Sequence, residues 1–208
     1  AAAMMLQGMT AQYLLRRTYQ VQPGDAILLH AAAGGVGLIV SQWARHLGAT
    51  VIGTVGSDDK AELARAHGCQ HVIVYTRENF VERVRELTDG QGVAVAYDSV
   101  GQATFMGSLD CLRPLGMMVS FGNASGPVSS FDPGLLAAKG SLFLTRPTLM
   151  TYTAQRADLL ASAAELFQVV SSGAVKIEVH QTYPLAEAAQ AHRDLEARKT
   201  TGSTVLLP

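Results

Sequence analysis

A doubly wound α/β fold built on a six-stranded parallel sheet is predicted by three features of the chain. Six short apolar runs alternate with segments of helical periodicity between Asp25 and Leu144, the pattern of parallel strands joined by crossover helices. The runs are nearly continuous in Val, Ile, Leu and Ala, as strands buried on both faces require. At the first strand-to-helix junction, His30-Ala31-Ala32-Ala33-Gly34-Gly35-Val36-Gly37 concentrates small residues where backbone must approach a helix or a ligand closely.

Composition bounds the answer. With 48% hydrophobic and 16% charged residues, 208 residues can bury a substantial core in one or two domains and are too apolar for disorder. A formal net charge of −1 leaves no electrostatic case for nucleic acid or an anionic membrane surface. No apolar stretch is long and charge-free enough to span a bilayer, and no secretory pattern opens the chain. Cys69 and Cys111 lack C-x-x-C or Cys/His ligand spacing, which points to a reduced, cytoplasmic setting and away from a disulfide or zinc site.

In order, Ala1–Tyr19 is expected to be helical, with Met5, Leu6, Met9, Tyr13 and Leu14 on one apolar face. The abrupt start at Ala1, without a cap or initiator methionine, suggests a segment of a longer protein. Asp25–His30, bounded by Pro23-Gly24, is the first strand. Val36, Ile39, Val40, Trp43, Ala44 and Leu47 then recur at helical spacing until Gly48. Thr50–Val55 is the second strand, and Ser57 or Asp58 caps a helix running towards His67. His71–Tyr75 is the third strand. Thr76 opens a helix with Phe80, Val81, Val84 and Leu87 inward. Val93–Asp98 is the fourth strand, and Phe105, Leu109 and Leu112 mark a helix closed by Arg113-Pro114. Gly116–Phe121 and Ser141–Leu144 are the fifth and sixth strands, with a short helical piece near Gly134–Lys139 between them. A helix over Thr153–Ser172 is expected to bury Leu159, Leu160, Ala163, Leu166, Phe167 and Val170. Lys176–Thr182, a helix over Leu185–Arg198 and a strand at Ser203–Leu207 complete the chain.

The small-residue turn carries the functional signal. Ala32-x-Gly34-x-x-Gly37 is the dinucleotide pattern G-x-G-x-x-G with alanine first. Gly34 would let backbone approach a pyrophosphate, and Gly37 would let the helix pack on its strand. A diphosphate there would rest on free N–H groups at the positive end of a helix dipole. The strand before, the helix after and the strand at Thr50–Val55 supply the βαβ context that a bare glycine motif lacks. Folds that select NAD carry an acid about 20 residues beyond the motif; Val55, Gly56 and Ser57 stand there instead. Lys60, one turn on, can pair with a 2′-phosphate, which favours NADPH, although Asp58 and Asp59 beside it also suit a solvated helix lysine. Topology brings the strand-end residues Ser57, Tyr75, Ser99 and Asn123 to one crevice. Taken singly, each reads more simply as an ordinary turn residue. His30 and His192 are candidate acids, but a strand-end and a helix-face histidine read more simply as structural.

HAAAGGVG, with IGTVGSDDK, AYDSVG, MMVSFGNASG, LTRP and the closing EARKTTGS, resembles the NADPH-dependent quinone oxidoreductase (zeta-crystallin-like) family of the medium-chain dehydrogenase/reductase superfamily. The resemblance covers essentially the whole chain. It implies a Rossmann fold in which Gly35 and Val36 meet the pyrophosphate, and Ser57, Lys60, Tyr75 and Arg198 surround the 2′-phosphate. Tyr13, Ser99, Phe121 and Asn123 would line the nicotinamide side. It further implies an NADPH-binding unit over 1–173 and, over 174–208, the return segment of a catalytic domain whose GroES-like N-terminal part does not precede Ala1. No zinc ligand set is visible, in keeping with the zinc-free branch.

The sequence therefore predicts the cofactor-binding portion of a cytoplasmic, homodimeric oxidoreductase that passes hydride from NADPH to a quinone, with no catalytic acid among these residues and incomplete activity alone. An enoyl reductase of the same superfamily and a non-catalytic NADPH-binding module are the alternatives.

Overall fold

Alternating side chains explain why the strands sit at the centre. The computed structural model describes residues 1–208. The first helix, α1 (Met5–Tyr13), runs into a π-helical turn, Leu14–Thr18, and then comes β1, Ala26–Leu29. Ile27 and Leu29 of β1 face one core and Leu28 the other, all three fully buried. The chain continues through α2 (Gly35–His46), β2 (Thr50–Val55), α3 (Asp58–Ala66) and β3 (His71–Val74). Next come α4 (Phe80–Leu87), β4 (Val93–Asp98), α5 (Phe105–Cys111) and β5 (Leu112–Ser120). A short α6 (Gly134–Ala138) precedes β6, Phe143–Thr145. The six strands form one parallel sheet in the order β3-β2-β1-β4-β5-β6. Its winding reverses between β1 and β4, the switch point where such sheets bind ligands.

After α7 (Leu149–Tyr152) and α8 (Arg156–Ser171), β7 (Val179–Pro184), α9 (Ala188–Glu196) and β8 (Ser203–Leu207) form a separate two-stranded parallel ribbon. A backbone bridge ties the ribbon to the turn after β1. Gly202 bridges Gly34, and its N–H donates to the Ala33 carbonyl at 2.8 Å.

Several boundaries differ from the sequence reading, each for a physical reason. The first helix is shorter than Ala1–Tyr19, and Leu6 points to solvent. Helix α4 begins after Asn79, whose Oδ1 accepts from Val81 N, because the Thr76 hydroxyl is spent on the Gly56 carbonyl. Strand β5 starts at Leu112, since a register shift lets Arg113–Gly116 bulge around a left-handed Leu115. Helix α8 buries Ser162, Leu166 and Val169, while Leu159, Leu160 and Phe167 stay exposed. Its buried stripe is the one facing α1, where a Cβ on Gly8 would lie 2.5 Å from Leu166 Cδ1.

Candidate functional site

The turn between β1 and α2 shows why its residues are small. A Cβ on Gly37 would lie 2.4 Å from the Ala31 carbonyl oxygen and 2.7 Å from that of Ala32, so only glycine lets α2 pack on the end of β1. The left-handed residue is Ala31, at φ 53°, rather than Ala32. Alanine is therefore tolerated at the first motif position. Its methyl is accommodated by Gly53 of β2, where a Cβ would stand 2.7 Å from Ala32 Cβ and 2.7 Å from Cys69 Sγ.

Helix α2 starts bare. Its N-cap is Gly34, which offers no side chain to the first-turn N–H groups, and no acidic residue occupies that turn. The positive end of the dipole is left for an external anion.

A cleft of about 400 Å³ opens beside this turn. Gly34, Lys60, Tyr75 and Arg198 line it, joined by Val100, Thr104 and Ala124 from the far side of the switch point. Lys60 Nζ donates to the Arg198 carbonyl at 2.7 Å, which brings the α3 lysine and the tail arginine together. Neither cation has a carboxylate partner. Partial burial, and secondarily the Arg198 charge, lowers the Lys60 pKa. The nearer acid in sequence to Ser57 is committed elsewhere: Asp58 accepts from both terminal nitrogens of Arg77, at 2.5 and 2.7 Å. Those hydrogen bonds hold the Asp58 carboxyl below its ordinary range. Ser57 is the N-cap of α3, accepting from Lys60 N at a long 3.5 Å.

Under the cleft lies a buried polar chain. His30 Nδ1 is 2.8 Å from Thr54 Oγ1, and Nε2 is 2.9 Å from Ser108 Oγ. Ser108 Oγ donates to Asp98 Oδ2 at 3.0 Å, and Thr104 Oγ1 to the same oxygen at 2.8 Å. Asp98 Oδ1 accepts the N–H groups of Val100 and Gly101, tying down the turn after β4. Burial pushes the His30 pKa down. This histidine is a positioning element of the cleft floor, and His192 is exposed on α9.

Of the residues expected at the nicotinamide side, Ser99, Phe121 and Asn123 meet at the ends of β4 and β5. Phe121 N–H donates to the Asp98 carbonyl, and Gly122 packs so closely that its Cβ would lie 2.4 Å from the Ser99 oxygen. None of these three, nor Tyr13, is among the residues lining the cleft of about 400 Å³. Tyr13 is buried and stacked on Tyr152, with centroids 4.6 Å apart, and burial raises its pKa to about 12. Gly35 faces the Gln7 side chain, and Val36 is half-buried at the start of α2. One cluster escaped the sequence reading altogether: His67, Glu178 and His180 lie together outside the cleft. Its signal was a Glu-x-His pair in the tail with a third member far away in sequence, a separation that no local pattern reveals.

No helix is long and apolar enough to cross a membrane. The family model described as zinc-binding dehydrogenase matches residues 35–166. The chain is 57% identical over its whole length to a quinone oxidoreductase of Pseudomonas aeruginosa, and covers 64% of that protein. It is 52% identical to a 2-haloacrylate reductase of Burkholderia sp, again over all of this chain and 62% of the relative. The crystal structure of Escherichia coli quinone oxidoreductase complexed with NADPH superposes with a TM-score of 0.97 at 51% identity, covering all of this chain and 64% of that one. The chain thus spans just under two thirds of the length of these relatives. Motif, strand order and these matches agree: the chain belongs to the zinc-binding dehydrogenase family of the medium-chain dehydrogenase/reductase superfamily.

Proposed function

We propose that the cleft binds NADPH and that the whole protein uses it to reduce a quinone. The observation that carries this reading is the pair Lys60 and Arg198, two cations without a carboxylate partner that line the same cleft as an uncapped helix N-terminus. The backbone of Gly34 to Gly37 would hold the pyrophosphate. Lys60 and Arg198, with Ser57 and Tyr75, would hold the 2′-phosphate. Tyr13, Ser99, Phe121 and Asn123 would orient the nicotinamide. The bound cofactor supplies the hydride; the residues here bind and orient. The quinone gains that hydride and a proton to become the hydroquinone, and no acid of this chain is assigned to deliver the proton. A reaction zinc does not fit the cleft, whose one imidazole, His30, has both ring nitrogens engaged by hydroxyls.

Residues 1–173 would form the cofactor unit, and 174–208 the return segment of a catalytic domain. The edge strand β6, with Phe143 exposed on it, suits pairing with a second copy into a homodimer. Two buried free thiols, Cys69 and Cys111, suit a cytoplasmic location.

Calorimetry tests the cofactor assignment. Lys60→Ala should weaken NADPH binding by about 10- to 100-fold, the value of a charge-assisted hydrogen bond, and leave NADH nearly unchanged. Equal losses for both would remove the assignment. The 52% match to a 2-haloacrylate reductase favours one second reading, an activated alkene as the acceptor. NADPH oxidation by the full-length protein with 1,4-benzoquinone against 2-chloroacrylate separates the two, and binding without turnover of either would mark a non-catalytic module.

A further inference from the structure

Three side chains converge in a small hollow outside the cofactor cleft, with Gly35 of the nucleotide turn on its wall. His67 follows the end of α3, Glu178 precedes β7, and His180 lies within β7. One ligand atom from each falls within 4.8 Å of the other two. Glu178 Oε2 is 3.3 Å from His67 Nε2 and 3.7 Å from His180 Nε2.

The surrounding bonds decide which atoms point inward. His67 Nδ1 lies 2.8 Å from the Leu63 carbonyl oxygen. A carbonyl only accepts, so Nδ1 carries the proton and Nε2 of the neutral ring turns its lone pair on the Glu178 carboxylate. Two lone pairs facing each other across 3.3 Å call for a cation between them, either a proton or a metal ion. His180 separates those cases. Both of its ring nitrogens are buried without a hydrogen-bond partner. Its ring is also held by close backbone: a Cβ on Gly202 would lie 2.1 Å from Nδ1. A proton shared by His67 and Glu178 leaves both nitrogens of His180 without a partner, whereas one metal ion engages one nitrogen of His180 together with His67 and Glu178.

We propose that His67, Glu178 and His180 form a divalent metal site of the zinc type, joining α3 to the β7–β8 ribbon. Two imidazoles and one carboxylate suit zinc and its borderline neighbours, whereas magnesium and calcium take oxygen ligands. At metal–ligand distances of about 2.0–2.1 Å, tetrahedral ligands stand about 3.3 Å apart. The His67–Glu178 spacing matches this, and His180 must close by a few tenths of an ångström. The Leu63 carbonyl fixes the His67 tautomer, as partners behind a metal-bound imidazole do. Lys176, which lines the same hollow, is the one opposing charge there, and water would complete the coordination. The role of the ion is mechanical. It pins the ribbon whose Gly202 bridges Gly34, and so steadies the nucleotide turn from behind.

Zinc titrated into the metal-free protein should bind at one site per chain. At about a hundredfold excess over Kd it should raise Tm by about 5 °C. Cobalt(II) in its place should show the visible d–d bands of a four-coordinate site. His67→Gln and His180→Gln should each weaken binding by about tenfold or more. Glu178→Gln, a change at a half-exposed side chain, should do the same without disturbing packing. His192→Gln, on the exposed face of α9, should bind as the parent does. A parent protein with no saturable zinc binding, as a proton-linked His67–Glu178 pair would give, overturns the proposal. So does zinc binding that survives both Glu178→Gln and His180→Gln.

Discussion

The β1–β4 pair and the β7–β8 pair are both parallel, yet different forces hold them. Every residue of β4 is buried, and β1 hides three of its four between two helical layers. In β7 no residue is fully buried, and in β8 only Ser203 is. Desolvation of Val, Ile and Leu side chains therefore holds the sheet. A free-standing two-stranded ribbon would be marginal, and this one is fastened by polar hooks instead. Gly202 N–H binds the Ala33 carbonyl, Ser203 Oγ donates to Gln7 Oε1 at 2.6 Å, and Lys60 holds the Arg198 carbonyl. All three hooks land on or beside the nucleotide turn. The sheet makes the site rigid, and the ribbon supplies a charge to it at little cost in core.

The comparison can be broken most directly by truncating each region. Leu28→Ala, in the middle of β1, should cost about 3–4 kcal/mol in urea unfolding, against about 1 kcal/mol for Val205→Ala in β8. Equal costs would mean the ribbon has a core of its own. Gly37→Val comes next. Its side chain meets two backbone carbonyls that cannot move aside, so about 3 kcal/mol of stability should go and NADPH binding with it. Normal binding by a folded variant would move the phosphate site elsewhere. Arg198→Gly sharpens the other side. Arg198 is exposed at φ 57°, so glycine relieves strain while removing charge. Stability should stay within about 1 kcal/mol of the parent, and NADPH affinity alone should drop about 3- to 10-fold.

The smallest effect concerns His30. Its folded pKa is depressed by burial, so the unfolded chain takes up a proton first as pH falls below about 6.5. The stability tied to neutral His30 is complete above that pH and is lost as pH falls through the folded value. The advantage of the parent over His30→Gln should therefore shrink on acidification. A gap that stays constant from pH 7.5 to 5 would show that burial does not depress the His30 pKa in the folded protein.

The sheet was legible because its strands are nearly unbroken apolar runs; β2, β4 and β8 begin and end where their residues alone place them. The glycine turn was legible because close backbone approach leaves a mark in residue size. Other features depend on what lies opposite. The α8 periodicity marks an apolar stripe but not which part α1 covers, so the expected burial of Leu159, Leu160 and Phe167 fails. The bulge in β5 depends on Leu115 N–H reaching the Gly140 carbonyl, a contact between distant segments. At the site, Lys60 and Arg198 were visible as charges. That they touch, and that Arg77 removes Asp58 from play, required three dimensions.

That removal bears on how such a protein can change its cofactor during descent. Asp58 stands one residue past Ser57, near where an acid would serve a ribose 2′-hydroxyl, and Arg77 on the surface clamps it. Loss of Arg77 would release a carboxylate beside Lys60 without altering any residue on the cleft wall. Preference between the two dinucleotides can therefore drift through a substitution that touches neither. A lineage comparison that follows only the ligand-lining positions would not see it happen.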